Sequence, residues 1–167
     1  MWWYKCIFAV GLALLTACQW SPVYEKPGQQ EDAVTTKVQV EPVAEEIGRI
    51  FRRQLENDLN PNNVENKKLY SLKVELSQEE SHNLGIVHDN TATLVLMHIS
   101  ATYQLVEIST KKKLDSGSVR VSGSYNILRR EPYATVTARE STKKSLALML
   151  ADQLALRVAK TLKQPEK

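Results

Sequence analysis

The 167-residue sequence predicts an α+β fold, a two-layer sandwich with two helices packed on one face of a four-stranded, mostly antiparallel sheet. Two segments carry apolar residues at four-residue spacing, which is typical of amphipathic helices. Four other segments alternate apolar and polar residues, which is typical of strands with one buried face. The predicted order is strand, helix, strand, strand, strand, helix. A hydrophobic share of 43% with 25% charged residues is typical of a globular domain.

The first strand and the first helix are predicted between residues 35 and 63. Val38 and Val40 alternate with polar residues, which indicates a short strand within residues 35–43. Pro42 suits the first turn of a helix, because that turn leaves its N–H groups unpaired anyway. The helix is predicted to end at the run 60–63, which contains Pro61. Its apolar stripe comprises Ile47, Phe51, Leu55 and Leu59.

Three further strands are predicted between residues 70 and 128. Residues 70–76 alternate as a half-buried strand, and the polar residues 78–90 are predicted to be a loop. Residues 91–109 and 114–128 are predicted to be the two strands of a long antiparallel hairpin, joined by a turn at 110–113. The core face of the first hairpin strand would carry Val95, Met97, Ile99, Ala101, Tyr103 and Leu105.

The first hairpin strand is also apolar on its second face. Leu94 and Leu96 break the alternation that a sheet with one wet face should show. Either the second face is locally covered there or it meets a partner. The same two alternatives apply to Val106 and Ile108.

The last predicted element is a helix over residues 134–162. Pro132 ends the preceding strand pattern, and apolar residues then recur every four positions with Met149 beside them. The recurring residues are Leu146, Leu150, Leu154, Val158 and Leu162.

The N-terminus predicts lipidation. Lys5 is followed by an apolar run of about ten residues, which is the layout of a secretory signal peptide and shorter than the roughly 20 residues of a membrane-spanning helix. The run closes with the lipobox Leu15-Thr16-Ala17-Cys18. We predict cleavage before Cys18, removal of residues 1–17 and attachment of lipid to that cysteine. An ordinary signal peptide cut near a cysteine is the alternative.

The predicted mature chain divides into three parts. Residues 18–33 hold two prolines and a glycine and are predicted to be a tether. Residues 34–163 form the domain, and residues 164–167 form a tail. Cys18 would be the only cysteine after cleavage, which excludes a disulfide within the chain. Loss of Lys5 lowers the net charge from +3 to +2, a balance that does not suggest nucleic-acid binding.

No catalytic or metal-binding pattern is evident in the sequence. His82 and His88 lie six residues apart in the predicted loop without a matching cysteine or carboxylate cluster, and His98 lies mid-strand on the second face. No nucleophile elbow or glycine-rich phosphate loop occurs. We therefore predict that the protein is not an enzyme and holds no metal and no cofactor besides the covalent lipid on Cys18. A lipid-anchored hydrolase is a lesser alternative.

Two basic clusters are the candidate binding residues. Lys111, Lys112 and Lys113 should lie at the tip of the hairpin, and Arg129 and Arg130 at the end of its return strand. One interpretation is a solvated turn, where lysine protects strand edges from aggregation. The other is a contact for phosphate groups, which lysine binds as a point charge and arginine as a bidentate donor.

The predicted mature chain begins Cys18-Gln19-Trp20-Ser21-Pro22-Val23-Tyr24, and this start resembles the LptE family of LPS-assembly lipoproteins. Its members often begin Cys-Gly-aromatic-x-Pro-Leu-Tyr; Trp20, Pro22 and Tyr24 match this pattern, whereas Gln19 and Val23 depart from it. Similar segments follow in order along nearly the whole chain: Tyr70-Ser71-Leu72-Lys73-Val74, Gly85-Ile86, Thr91-Ala92-Thr93, Ala101-Thr102-Tyr103-Gln104-Leu105, Gly123-Ser124-Tyr125-Asn126 and Tyr133-Ala134.

The resemblance implies a function in outer-membrane assembly. An LptE-like protein plugs the LptD β-barrel, assists its assembly and binds lipopolysaccharide for insertion into the outer leaflet. Gln19 after the lipidated cysteine, in place of aspartate, suggests sorting to the outer membrane with the domain facing the periplasm. Lys111, Lys112 and Lys113 become candidates for lipopolysaccharide phosphates. The alternative is a periplasm-facing auxiliary lipoprotein of another lipid transport system.

Overall fold

The computed structural model describes residues 34–83, 92–128 and 131–163. Both helices pack on one face of a four-stranded sheet and share one hydrophobic core with it, so the predicted fold class is confirmed. The predicted signal peptide, the tether with Cys18 and the C-terminal tail lie outside the described residues. The elements are a 3-10 helix at Val34–Lys37, β1 at Val38–Val40, α1 at Glu45–Leu59, β2 at Tyr70–Asn83, β3 at Ala92–Glu107, β4 at Lys113–Leu128 and α2 at Pro132–Lys163.

The sheet has the strand order β1-β2-β3-β4. β1 runs parallel to β2, with α1 as the connection between them, and the two other pairs are antiparallel. β2 and β3 pair without a break from Tyr70 opposite Glu107 to Asn83 opposite Leu94. The β3–β4 pairing contains one irregularity, between Leu105 and Val106.

The core is built on β3. All six residues predicted for its core face are at most 1% exposed, because α2 packs across β3 and β4 and closes that face. Leucines of α2 at four-residue spacing meet them, as the sequence predicts: Leu146, Leu150, Leu154 and Val158 are at most 2% exposed. Gly123 on β4 allows the close approach, because a Cβ there would lie 3.1 Å from Leu146 Cδ2. Met149, expected beside this stripe, instead points outward and is exposed.

The helix α1 buries its four predicted stripe residues but begins later than Pro42 suggests. Pro42 lies in the extended segment that leads to Ala44, and the helix starts at Glu45. Gly48 explains how this segment folds against the first turn. A Cβ at Gly48 would lie 2.8 Å from Val43 Cγ1 and 3.0 Å from Val43 O, so glycine is required for the contact.

The expected loop at 78–90 is wrong over its first six residues. β2 continues to Asn83, in register with β3. Its polar composition has a structural cause at Glu80, whose side chain lies under α2 and accepts hydrogen bonds from Arg139 Nε at 3.0 Å and Gln78 Nε2 at 2.9 Å. A charged pair therefore occupies a position where the alternation rule requires an apolar residue.

Three smaller boundaries also differ from expectation. β1 spans three residues, because Val34–Lys37 forms a 3-10 turn before it. β3 ends at Glu107, two residues before the predicted end at 109. β4 begins at Lys113, one residue before the predicted start at 114, because Lys113 pairs with Val106.

A half-buried polar cluster joins the start of β4 to the end of α2. The Tyr103 hydroxyl donates to Asp115 Oδ2 at 2.9 Å, and Thr161 Oγ1 donates to the same oxygen at 3.0 Å. The guanidinium of Arg157 lies 5.6 Å from the centre of the Tyr103 ring. Burial and the neighbouring Asp115 raise the pKa of Tyr103 to about 12, so the hydroxyl keeps its proton and acts as a donor.

A second polar cluster lies between the two helices. Gln54 Nε2 on α1 donates to Asp58 Oδ1 at 2.9 Å and to Asp152 Oδ1 on α2 at 3.3 Å. Burial and the carboxyl group of Asp152 raise the pKa of Asp58 to about 6, although Gln54 opposes the shift. Close carboxylates repel each other, so this pair opposes helix packing at neutral pH.

We expect Tyr103→Phe to lower the free energy of unfolding by about 1–2 kcal/mol, because it removes a buried hydrogen bond to a charged acceptor. Urea denaturation measures the change. Tyr133→Phe is the matched control: Tyr133 is 88% exposed, and the same loss of a hydroxyl should cost less than about 0.5 kcal/mol. Equal effects of the two variants would contradict a structural role for the cluster.

We expect Asp58→Asn to raise the free energy of unfolding at pH 7 by about 1 kcal/mol, the shift in pKa being discounted for solvent screening. The folded protein holds the Asp58 proton more tightly than the unfolded chain. That stabilisation is complete below about pH 4 and lost as the pH rises through about 6. The stability difference between variant and parent should therefore grow between pH 4 and 6 and then level off. Glu140→Gln, which removes one exposed carboxylate away from the pair, controls for the loss of a negative charge. An equal Asp58→Asn effect at pH 4 and pH 7 would contradict the repulsion.

Candidate functional site

The tip of the β3–β4 hairpin holds the predicted lysine cluster. Lys111 N donates to Glu107 O, and Glu107 N donates to Lys112 O, both at 2.9 Å, so the turn is closed from both sides. Lys111 adopts the left-handed conformation with φ 56°. Thr110 Oγ1 donates to Glu107 Oε2 at 2.6 Å and accepts from Lys112 N at 3.2 Å. The tip is thus an ordered turn that presents its lysines to solvent.

The lysines of the tip differ in their surroundings. All three are exposed. Lys111 and Lys113 form no ion pair with the described residues, and Lys112 has an interaction partner. The structure therefore brings together the first predicted cluster. Arg129 and Arg130, the second cluster, lie outside the described residues, as does Cys18.

The face of the sheet opposite the helices carries no described helix or strand, and we call it the open face. Its alternating positions on β3 and β4 are exposed or half-buried, whereas the neighbours on the helix side are buried on β3 and buried or half-buried on β4. It is rich in hydroxyl groups along its middle. The open face comprises Lys73, Glu75, Ser77 and Glu79 of β2, Leu94, Leu96, His98, Ser100, Thr102, Gln104 and Val106 of β3, and Ser118, Arg120, Ser122, Ser124, Asn126 and Leu128 of β4.

The middle of the open face is held by hydrogen bonds across strands. His98 Nδ1 lies 2.8 Å from Ser122 Oγ, and Arg120 Nε donates to Ser100 Oγ at 3.0 Å. Arg120 also lies 3.9 Å from a carboxylate oxygen of Glu79. These contacts join all three long strands on their wet side, and they give His98 the ordinary polar role that its position predicts.

The two ends of the open face are apolar and uncovered. Leu94 is 43% exposed and lies diagonally from the exposed Leu128, with the half-buried Leu96 beside it. At the other end the half-buried Val106 precedes Ile108, which is exposed. Within the described residues no element covers either end. Both alternatives for the doubly apolar strand, cover by residues outside the described ranges and contact with a partner, stay predictions.

The described residues assemble no metal centre. No group of three or more histidine, cysteine, aspartate or glutamate side chains comes together among them. His82 lies in β2 opposite Val95 and so belongs to a strand, not to the predicted loop, while His88 lies outside the described residues. The predicted absence of metal and cofactor remains an expectation for the chain as a whole.

An open cavity of about 510 Å³ lies beside β1 and the end of α1. Its polar lining includes Arg52 and Glu56, which pair with each other at 2.8 Å, and the side chains of Asn57, Asn60 and Lys68. The carboxylate is thus already bound, and no histidine or cysteine lines the cavity, so its chemistry does not indicate a reaction.

The ion pair between Glu80 and Arg139 was not predicted from the sequence. Arg139 Nη2 lies 2.9 Å from Glu80 Oε1, and the Glu80 side chain is 19% exposed. Burial and the nearby Glu80 raise the pKa of Tyr125, and the hydrogen bond to Glu80 raises the pKa of Arg139. The only signal in the sequence was a charged residue in phase with the core face of β2.

Among the described helices, none is long and apolar enough to cross a membrane.

The chain matches no protein-family model and no curated protein. It is similar to solved crystal structures of proteins described as lipoproteins. One from Caulobacter crescentus CB15 is 22% identical, with 81% of this chain and 98% of that chain covered and a TM-score of 0.60. A minor lipoprotein from Acinetobacter baumannii is 20% identical, with 76% and 94% covered and a TM-score of 0.58. Rare lipoprotein B from Shewanella oneidensis is 17% identical, with 74% and 94% covered and a TM-score of 0.52.

Two helices on one face of a four-stranded sheet are therefore the fold of this group of lipoproteins. At 17–22% identity the likeness concerns the fold alone. The LptE-like fold expected from the resemblance is confirmed. The barrel partner, the ligand and the outer-membrane location remain predictions.

Proposed function

We propose that this protein is a lipid-anchored, periplasm-facing lipoprotein of the outer membrane. It plugs and assists the assembly of an LptD-like β-barrel and binds lipopolysaccharide for insertion into the outer leaflet. The proposal combines the lipobox at Cys18 with the lipoprotein fold, and the open face is the observation that carries it.

The open face has the composition expected of a surface that meets a polar-walled partner. A sheet exposed only to water would alternate apolar and polar residues strictly, and this one does so through its hydroxyl-rich middle. The exposed leucines Leu94 and Leu128 depart from that rule and lie next to each other. Covering an exposed leucine side chain is worth about 1–2 kcal/mol, so a partner that reaches this end of the face gains affinity from it.

The tip lysines supply the chemistry for the ligand. Lipopolysaccharide carries phosphate groups, and an ammonium group that has no carboxylate partner is free to bind one. Lys111 and Lys113 meet that condition on an ordered turn. The left-handed conformation of Lys111 also determines how the tip can be tested, because asparagine adopts this conformation more readily than serine does.

We expect an LptD-like barrel to co-purify with the protein through a tag on Lys167. The double variant Leu94→Lys, Leu96→Lys should lower the recovery of the barrel about tenfold. The reason is that a desolvated lysine at the contact costs more than the lost leucine contacts. Recovery of the barrel from detergent-solubilised membranes is the measurement. Met149→Lys with Leu156→Lys is the matched control, because it changes two exposed apolar residues on the outer side of α2.

Equal recovery with the open-face variant and the parent would contradict the open face as the contact, and loss in the α2 variant alone would move the contact to the helical side. Recovery of inner-membrane transport subunits without a barrel would favour an auxiliary lipoprotein of another lipid transport system.

We expect Lys111→Asn, Lys112→Ser and Lys113→Ser together to weaken lipopolysaccharide binding about tenfold or more, because three charges near the phosphates are removed. Binding of the purified protein to labelled lipopolysaccharide measures it. Lys73→Ser, Lys143→Ser and Lys144→Ser remove the same charge elsewhere and should leave binding within about twofold. Since asparagine suits the turn at position 111, thermal unfolding should be unchanged, and unaltered binding in the tip variant would rule out the tip as the phosphate contact.

A further inference from the structure

Four segments of the chain that carry lysines come together at one end of the domain, which we call the basic end. They are residues 34–37, 65–69, 107–115 and 159–163. Backbone hydrogen bonds establish the neighbourhood: Ile108 N donates to Leu69 O at 2.9 Å, and Leu69 N donates to Lys37 O at 2.8 Å. The hydrogen bond from Thr161 to Asp115, 3.0 Å long, adds the end of α2 to the same group.

The basic end holds most of the excess positive charge of the domain. Its four segments carry eight lysines and three carboxylates, whereas the other described residues carry nine basic and eleven acidic side chains. Lys67, Lys160 and Lys163 are exposed and form no ion pair with described residues, like Lys111 and Lys113 at the tip. Strand ends lie about 5 Å apart across a sheet, so these charges lie largely within one Debye length, about 10 Å, of their neighbours.

The chain also enters the domain at this end. The 3-10 helix Val34–Lys37 packs against α2, and Lys68 Nζ donates to Thr36 O at 2.8 Å. Val34 follows directly on residues 18–33, the predicted tether. A tether of that length and composition is expected to span about 20–24 Å on average, whereas α2 alone is about 48 Å long. The predicted tether therefore joins the domain at the basic end, and we expect a lipid on Cys18 to hold this end nearest to the membrane surface.

We infer that the basic end docks on the anionic phospholipid headgroups of the leaflet that holds the lipid anchor. The inference rests on the proposed lipidation of Cys18. Lysine is a compact, hydrated charge that suits a surface of phosphates better than a single bidentate site. A polybasic surface beside a lipid chain is a second membrane signal. Docking through the basic end makes the domain stand on the membrane, with Tyr133 and the start of α2 at the end farthest from it.

The docking orientation is measured by energy transfer from a probe on the domain to acceptors on lipid headgroups. The lipidated full chain is reconstituted in phosphatidylcholine vesicles, with or without phosphatidylglycerol. One variant carries Ser109→Cys at the basic end, and its matched partner carries Ser141→Cys near the start of α2; both serines are exposed. With phosphatidylglycerol, transfer from position 109 should exceed transfer from position 141 at least twofold. The excess should vanish at about 1 M salt, where the Debye length is about 3 Å.

A charge variant tests the lysines outside the tip. Each lysine near an anionic surface contributes about fivefold to binding, so Lys67→Ser, Lys160→Ser and Lys163→Ser together should lower the docked fraction at least tenfold. Arg49→Ser, Lys143→Ser and Lys144→Ser remove the same charge elsewhere and should leave the excess transfer intact. The tip lysines remain in both variants, so lipopolysaccharide binding at the tip is unaffected.

The outcomes separate this inference from the proposal on which it rests. A chain that fails to float with either kind of vesicle lacks the anchor, and both ideas fail. A chain that floats but gives equal transfer from positions 109 and 141 in anionic vesicles keeps its anchor and overturns the docking. Excess transfer that needs lipopolysaccharide in the vesicles and not phosphatidylglycerol also overturns it, and assigns the basic end to lipopolysaccharide instead.

Discussion

The packing of α2 along the β3–β4 hairpin is the contact on which the rest of the structure depends. Six residues of β3, from Val95 to Leu105, and the leucine stripe of α2 belong to one continuous core seam. Because the seam occupies a single face of the sheet, no described helix or strand covers the opposite face. The same seam fixes the two ends of the domain: Thr135 is tied to Leu128 at one end, and Thr161 to Asp115 at the other.

Local periodicity was sufficient to predict this seam. The alternation on β3 and the four-residue spacing on α2 are both set by residues that each element buries, so each element reveals its inner face without knowledge of the other. The same logic predicts the stripe of α1. Prediction from periodicity fails where a charged residue takes a core-facing position, as Glu80 does, because its partner Arg139 is 59 residues away and no local pattern indicates the pair. β2 was therefore predicted seven residues too short, ending at residue 76 and not at Asn83.

The candidate sites were predictable from the sequence only where their residues are close together along the chain. The lysine triplet at 111–113 is contiguous, so the sequence alone placed it at the hairpin tip, and the open end of the sheet at Leu94 was evident as a break in alternation. The basic end was not predictable, since its lysines come from four segments whose proximity depends on pairing across the sheet and on the direction of α2. The carboxyl pair Asp58 and Asp152 was not predictable either, because its two residues lie on different helices.

The proposed barrel contact and the basic end use different parts of the domain. The leucines that would meet a barrel lie at the end of the open face near the start of α2, whereas the basic end lies at the hairpin tip and the end of α2. β3 has 16 residues, and at about 3.4 Å per residue these regions lie about 50 Å apart. A domain with its basic end on the leaflet therefore holds these leucines well away from the membrane, so docking on headgroups and plugging a barrel in that membrane are two successive states. The packing of α2 supports both states, since it stiffens the hairpin along its length.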